Sequence, residues 1–160
     1  MSSDEINDRI PSIDSASSEK MVFMQEQMIS FLQQYSLPLL ESSLVISKYT
    51  RQLSAALAKH AELENESLPA ILSEPWPIIG HESNGVESAG YDIAKLMENV
   101  DEDRMDIFDT ILRTAIHATE IPLADALMQL RQWEHLARSQ LAEVKSPGQL
   151  FSPLDIPDDW

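Results

Sequence analysis

The stretch VDEDRMDIFDTILRTAIHATEIPLADALMQLRQWEHLARSQLAEVK, residues 100–145, decides the fold. Before Pro122, apolar residues recur in adjacent pairs at steps of three and four, which predicts a helix over 101–118 with a wide buried face. After Pro122 the same spacing continues and predicts another helix over 122–145. Because the turn between them is short, we expect these two helices to be antiparallel neighbours.

The acids at the start of this stretch have two interpretations. Those at positions 101–103 fall where carboxylates cap free N–H groups and oppose the helix dipole. Asp106 and Asp109 lie beyond the first turn, and Asp109 can pair with Arg113, four residues on. The alternative to simple capping is a functional acidic patch over 101–109.

Two further helices are predicted upstream, on either side of Pro38. Steps of three and four from Met21 to Tyr35 predict a helix over 17–36, and the same alternation predicts the next over 39–63. The residue before a proline avoids the α region, and a proline inside a helix costs about 3 kcal/mol. We therefore expect a break at Pro38 rather than one long kinked helix.

Residues 64–90 interrupt the helical pattern with a long loop. This segment holds three of the four glycines and three of the nine prolines, and a loop of this length in a small domain is usually functional or disordered. Its glycines lack the lysine of a phosphate-binding loop, and Ser83 stands one place too far from Gly80 for a nucleophile elbow. Helical spacing then returns over 90–99.

These patterns predict an all-α fold, a helical bundle of four to five helices in a single domain over 17–148. The segment 1–16 is expected to be disordered, and 149–160 is expected to form an extended acidic and aromatic tail. The sequence shows no period-2 strand and no convincing internal repeat. With 160 residues, the chain is long enough to bury one real core.

Charge and composition argue against several classes of partner. The chain has 11 Lys and Arg against 27 Asp and Glu, a formal net charge of −16, and its bases are scattered singly. Nucleic acid and anionic lipid are therefore expected to be poor direct partners, since both bind clusters of Lys and Arg side chains. There is no cysteine, no apolar signal segment and no membrane-spanning run, which leads us to expect a cytoplasmic protein that does not insert in a membrane.

The four histidines form no recognised metal pattern. A helical zinc pair needs histidines four residues apart, and a di-iron bundle needs Glu-x-x-His repeats; neither spacing occurs among His60, His81, His117 and His135. His60 falls on the apolar side of the helix 39–63, where a core or interface histidine is expected and a pH-sensitive contact is the alternative. We expect no metal, no cofactor and no enzyme activity; the open alternative is a site assembled from dispersed acids and His117 or His135.

Two features favour binding to another protein. Met21, Met24 and Met28 lie along one helix edge, where flexible thioethers suit a partner surface, although core packing is their commoner use. Trp76, between Pro75 and Pro77, and Trp160, after Pro157, each lie in an extended, acidic segment. The restricted backbone of proline reduces the entropy lost on docking.

The tail carries apolar residues spaced among acids, and two arrangements are open for it. Either its apolar residues fold back over the bundle itself, for example on the methionine edge, or they enter a basic-rimmed apolar pocket on another protein. In the second case the acids of the tail meet Arg or Lys of that partner. The candidate residues are Phe151, Leu154, Ile156, Asp158, Asp159 and Trp160.

In size, acidity, serine-rich N-terminal segment and helical content, the chain resembles small accessory proteins of bacterial secretion systems, which implies an accessory role. The leading hypothesis is a non-enzymatic protein-binding helical domain that acts as adaptor, chaperone or regulator, as a monomer or a homodimer. The alternative is an acidic inhibitor that mimics nucleic acid and occupies the cleft of a DNA- or RNA-binding protein. The charge distribution argues against this alternative, because the net charge is close to zero over residues 21–64 and 121–145. A mimic of nucleic acid needs negative charge at phosphate-like intervals along a whole face.

Overall fold

The computed structural model of the chain describes residues 10–78 and 93–160. Within these ranges the helices are α1 (Ser17–Tyr35), α2 (Leu39–Leu63), α3 (Ala70–Ser73), α4 (Ile93–Met97), α5 (Glu102–Thr119) and α6 (Leu123–Ala142), followed by a 3₁₀ helix at Pro147–Phe151. The predicted all-α bundle is confirmed. The short helix α3 is additional to the predicted set and divides the long loop.

Both pairs of long helices are joined by the same three-residue turn. It consists of a left-handed residue, a buried apolar residue and a proline before the next helix: Ser36, Leu37 and Pro38 in the first turn, and Glu120, Ile121 and Pro122 in the second. The left-handed residue, with φ of 47° in the first turn and 50° in the second, ends the helix. The proline begins the next helix where no N–H is required. The predicted break at Pro38 and helix start at Pro122 are confirmed.

The helices joined by these turns are not the ones that pack most extensively together. Helix α2 packs along α6, and α1 packs against α5, with smaller contacts between α1 and α6 and between α2 and α5. The prediction that the last two helices are antiparallel neighbours is therefore wrong. Each turn directs the second helix away from the first, so that each long helix finds its main apolar partner in the other half of the chain.

The two halves of the bundle, α1 with α2 and α5 with α6, meet in a reciprocal way. Tyr49 and Trp133 occupy equivalent positions, each 11 residues after its turn proline. The Tyr49 hydroxyl donates a hydrogen bond to the backbone carbonyl of Asp109 on α5, and the Trp133 indole N–H donates to the side-chain oxygen of Gln25 on α1. The two contacts are reciprocal, since each joins the second helix of one half to the first helix of the other half.

The core lies where the four long helices meet. Met24, Met28, Phe108 and Trp133 are among its largest fully buried side chains, and burial of each such side chain stabilises the fold by about 1.5–3 kcal/mol. Phe31 of α1 stacks on Phe108 of α5 with ring centroids 5.4 Å apart. Side chains from both halves therefore form one core.

The last turns of α2 extend beyond this core. His60, which was expected on the buried side, is exposed, and Leu63 is 73% exposed. Only Ala61 is buried among the residues of these turns. The expectation that His60 lies in the core is wrong, because the helix continues after its packing partners end; a position in an interface stays a prediction.

Two of the five acids over 101–109, Asp101 and Asp109, make contacts that account for their positions. The Asp101 side chain caps the helix and accepts a hydrogen bond from the Asp103 N–H at 3.0 Å. Asp109 pairs with Lys48 of α2 at 2.8 Å and, as predicted, with Arg113 at 4.0 Å. These contacts support the capping interpretation of the cluster.

Residues 1–9 and 79–92 lie outside the described part of the chain. The sequence expectations for Ser83, His81 and the glycines near them fall there. So does most of the N-terminal segment expected to be disordered, whereas Ile10 packs against the core. Among the helices of the described ranges, none combines the length and the apolar character needed to cross a membrane.

Candidate functional site

The tail, residues 149–160, packs on the bundle. Leu150 and Leu154 are only 1% and 6% exposed, and Phe151 and Ile156 pack against the core in partly buried positions. Of the two arrangements considered for the apolar residues of the tail, the structure shows the intramolecular one.

Backbone hydrogen bonds attach the tail to the turn between α1 and α2. The Leu39 N–H donates to the Ser152 carbonyl at 2.8 Å, and the Leu154 N–H donates to the Leu37 carbonyl at 3.2 Å. The first bond satisfies an N–H that the start of α2 leaves without a partner inside the helix. These two bonds fix the register of the tail on the bundle.

Beyond this point the tail follows α6 to a cleft between α6 and α1. The Gln140 side chain bonds both the N–H and the carbonyl of Asp155. Trp160 then packs edge-to-face on Trp133, with ring centroids 4.8 Å apart, a geometry worth about 0.5–1.5 kcal/mol beyond the area it buries. The cleft has a volume of about 430 Å³ and is lined by Met21, Val22, Gln25, Glu26, Ile29, Gln129, Gln132, Asp159 and Trp160. We call it the acidic cleft.

The acidic cleft combines an apolar surface with free carboxylates. Val22 is 56% exposed at its edge. Glu26 and Asp159 are exposed, and neither makes an ion pair with any residue of the described ranges. Among the described residues that line it, none is basic. The cleft therefore offers apolar contact together with negative charge. Asp158, the other predicted acid of the tail, is exposed beside it.

The three methionines of the predicted edge lie in two different environments. Met24 and Met28 are fully buried at 0% exposure, because α1 directs this stripe into the core. In this conformation they cannot contact a partner. Met21 is partly buried and lines the acidic cleft, so it is the one of the three that stays at a candidate binding surface.

Trp76, the other predicted aromatic residue, is held against α6. Its indole N–H donates to the Ile71 carbonyl at 2.8 Å, and its own carbonyl accepts from the Arg138 guanidinium at 2.7 Å. The Trp76 ring lies 6.0 Å from the ring of His135, centroid to centroid. Trp76 and Trp160 contact different sides of α6 and do not form one site.

A groove between α2 and α6 lies on the flank of α6 that Trp76 contacts. The two helices are antiparallel here, since Ser54 meets Arg131 while Leu39 lies beside Gln140. The volume of the groove is about 610 Å³, within the range of ligand-binding clefts. We call it the arginine groove; its lining residues are Ser47, Thr50, Arg51, Ser54, Ala55, Ala58, Ser73, Pro75, Arg131, Glu134 and Arg138.

The three arginines of this groove differ in their partners. Arg131 is 4% exposed, pairs with Glu134 at 2.9 Å and donates to the Leu72 carbonyl at 3.0 Å. Arg138 gives one N–H to the loop that follows α3. Arg51 is exposed and makes no hydrogen bond or ion pair with the described residues. No described residue therefore occupies the guanidinium of Arg51, and the same holds for the N–H groups of Arg138 other than the one bonded to the Trp76 carbonyl. These groups can bind a ligand.

Sequence analysis did not identify the arginine groove. Arg131 and Arg138 are seven residues apart and so lie on one face of a predicted helix, which is the signal the sequence offers. Arg51 comes from another helix. Only the packing of α2 on α6 shows that it joins the other two.

No group of three or more His, Cys, Asp or Glu side chains that could hold a metal ion occurs in residues 10–78 and 93–160. His117 is exposed, and His135 lies beside Trp76. Compared with protein-family models, with curated proteins and with solved structures, the chain matches none of them.

Proposed function

We propose that this chain is a non-enzymatic protein-binding domain that acts as an adaptor, chaperone or regulator, and that the acidic cleft is its partner surface. The observation that carries the proposal is the convergence of two distant parts of the chain on one exposed cleft. Met21, Val22 and Glu26 come from α1, and Asp159 and Trp160 come from the tail.

The chemistry of the cleft suits a basic and apolar patch on another protein. Exposed apolar surface with a polar rim is typical of protein interfaces. The carboxylates of Glu26 and Asp159 supply partners for Lys or Arg, and charge-assisted hydrogen bonds of this kind are among the stronger ones. The indole of Trp160 adds a face on which a cationic side chain can lie.

The packed tail presents this surface in an ordered state. Phe151, Leu154 and Ile156 contact the bundle, so their role in binding is to hold Trp160 in place. A surface that is already ordered loses less conformational entropy on binding than a free tail does. The partner therefore meets the tail as part of the folded domain.

A nucleic-acid mimic is the less supported alternative. Such an inhibitor presents acids at phosphate-like intervals along a face. Here α2 and α6 place Arg51 and Arg138 in a shared groove, so the surface formed by these two helices is not continuously acidic. The absence of cysteine from the sequence supports a reducing compartment, and we propose the cytoplasm.

The proposal is tested by site-specific crosslinking in the native cell. A photoreactive phenylalanine analogue replaces Val22 in the full chain, and mass spectrometry identifies the crosslinked proteins. The matched position is Thr114, which is exposed on α5. We expect a discrete partner at Val22 that is absent at Thr114 and is lost when Glu26→Lys and Asp159→Lys are combined. Recovery of the same proteins from both positions would contradict the proposal.

A further inference from the structure

The arginine groove has the opposite sign of charge to the rest of the molecule. The chain carries a formal net charge of −16, whereas the described residues that line the groove include three arginines and one acid, Glu134. Glu134 is already paired with Arg131. Two guanidiniums, those of Arg51 and Arg138, therefore face the groove with N–H donors that no residue of 10–78 or 93–160 uses.

Small side chains line the α2 side of the groove. Ser47, Ser54, Ala55 and Ala58 line it from α2, and Pro75 closes one side. From Ser47 to Ala58 the helix rises roughly 16 Å at 1.5 Å per residue. Small side chains over this length leave room for a segment of polypeptide. Such a segment can contact the alanines of α2 with its apolar atoms and accept hydrogen bonds from the guanidiniums of Arg51 and Arg138.

We propose that the arginine groove binds an acidic segment of a protein partner. Carboxylates of that segment pair with Arg51 and Arg138, and an apolar side chain lies against Ala55 and Ala58. The guanidinium fork matches a carboxylate with two parallel hydrogen bonds, which fixes the orientation of the bound segment. This site is separate from the acidic cleft and selects a ligand of opposite charge.

A polypeptide fits the charges of the groove better than a phosphate polymer does. Nucleic acid binding requires a continuous row of Lys and Arg side chains that neutralises successive phosphates. Here two available arginines are surrounded by an acidic molecule, which repels a long polyanion. An acidic segment of a protein needs to place only one or two carboxylates and can fill the space between them with apolar atoms.

Arg131 has a different part in this site. It is buried and pairs with Glu134 on its own helix, and its bonds to Ser54 and to the Leu72 carbonyl join α6 to α2 and to α3. It is therefore a positioning residue that maintains the shape of the groove. Arg51, which makes no such bond, is the residue whose substitution tests binding without a change in the fold.

The test is a titration of the full isotope-labelled chain with a fluorescein-labelled dodecapeptide of Leu-Glu-Glu repeats, followed by NMR and by fluorescence anisotropy. We expect saturable binding that shifts the resonances of Arg51, Ser54 and Ala58. Arg51→Glu is expected to weaken binding by more than about tenfold at an unchanged melting temperature. A peptide with Gln in place of every Glu is expected to bind at least about tenfold more weakly.

The matched control is Lys59→Glu, which makes the same change of charge at an exposed position of α2 outside the groove. Equal weakening by Arg51→Glu and Lys59→Glu, or no saturable binding, would overturn the proposal. If inorganic phosphate alone displaces the peptide and shifts the same resonances, the groove is a site for small anions instead. An association of the free chain that Arg51→Glu abolishes would show that a second copy is the occupant, and would also overturn it.

Discussion

Helix α6 has a groove on each flank, and the two grooves differ in charge and in what occupies them. On the α1 flank the chain itself covers much of the surface, because the tail lays Trp160 on Trp133 and leaves an acidic cleft beside it. On the α2 flank the arginine groove is lined by small side chains and by Arg51, which has no partner in the described ranges. Contacts that stabilise the fold and contacts that we propose for partners can therefore be tested by separate substitutions.

The largest effect is expected at Arg131, which lies in the open groove but acts as a structural residue. Arg131→Ala leaves Glu134 buried without its partner, and breaking a buried pair in this way costs about 3–5 kcal/mol. Urea denaturation measures this loss in the free energy of unfolding. The double change Arg131→Met with Glu134→Leu removes both charges and is expected to restore most of the stability. If the single variant Arg131→Ala is as stable as the wild type, the pair of Arg131 with Glu134 does not stabilise the fold.

The next effect is expected at Leu154, which attaches the tail to the bundle. Leu154→Ala removes a side chain that is 6% exposed, and a buried Leu→Ala change costs about 2–5 kcal/mol. Leu63→Ala is the matched control, because Leu63 is 73% exposed and surface changes stay within about 0.5 kcal/mol. Equal melting temperatures for the two variants would mean that the tail is not packed in solution.

A smaller effect is expected at Trp160, which is only half-buried. Trp160→Ala loses the edge-to-face contact with Trp133 and part of its buried area, for a cost of about 1–2 kcal/mol. Trp160→Phe keeps an aromatic ring on Trp133 and is expected to recover much of this. Thermal denaturation followed by circular dichroism compares the three proteins. If Trp160→Phe is no better than Trp160→Ala, the ring contact is not what holds the tail.

The smallest effect on stability is expected at Arg51. Arg51→Ala removes no hydrogen bond and no ion pair of the described chain, so the free energy of unfolding should change by less than about 0.5 kcal/mol. The same variant is expected to lose affinity for the Leu-Glu-Glu peptide. A marked fall in stability, measured by urea denaturation, would assign Arg51 to the structure rather than to binding.

Local features of the sequence were enough to predict the helices. The range 39–63 agrees with α2, and the other long helices begin and end within three residues of their predicted limits. This accuracy follows from three- and four-residue apolar steps and from Pro38 and Pro122, all of which act within a few residues. The pairing of the last two helices was predicted wrongly, because the left-handed residues that redirect the chain, Ser36 and Glu120, are not the glycines that would mark such turns in a sequence.

The candidate sites depend on contacts between distant residues and were predicted only in part. Periodicity places Met24 and Met21 on the same edge but does not show which of them faces the core. Apolar residues such as Leu154 mark a segment that needs an apolar surface, and only the fold shows that the surface belongs to the same chain. Arg51 and Arg138 are 87 positions apart in the sequence, so no local pattern joins them.

The most direct test of the account is one NMR titration of the full chain with two peptides of opposite charge, added singly and then together. A Leu-Lys-Lys peptide is expected to shift the amide resonances of Val22 and Glu26 and the indole N–H resonance of Trp160. The Leu-Glu-Glu peptide is expected to shift those of Arg51 and Ala58, and the mixture is expected to shift both sets. If both peptides shift the same residues, or if neither shifts its own set, the two flanks of α6 are not separate binding surfaces.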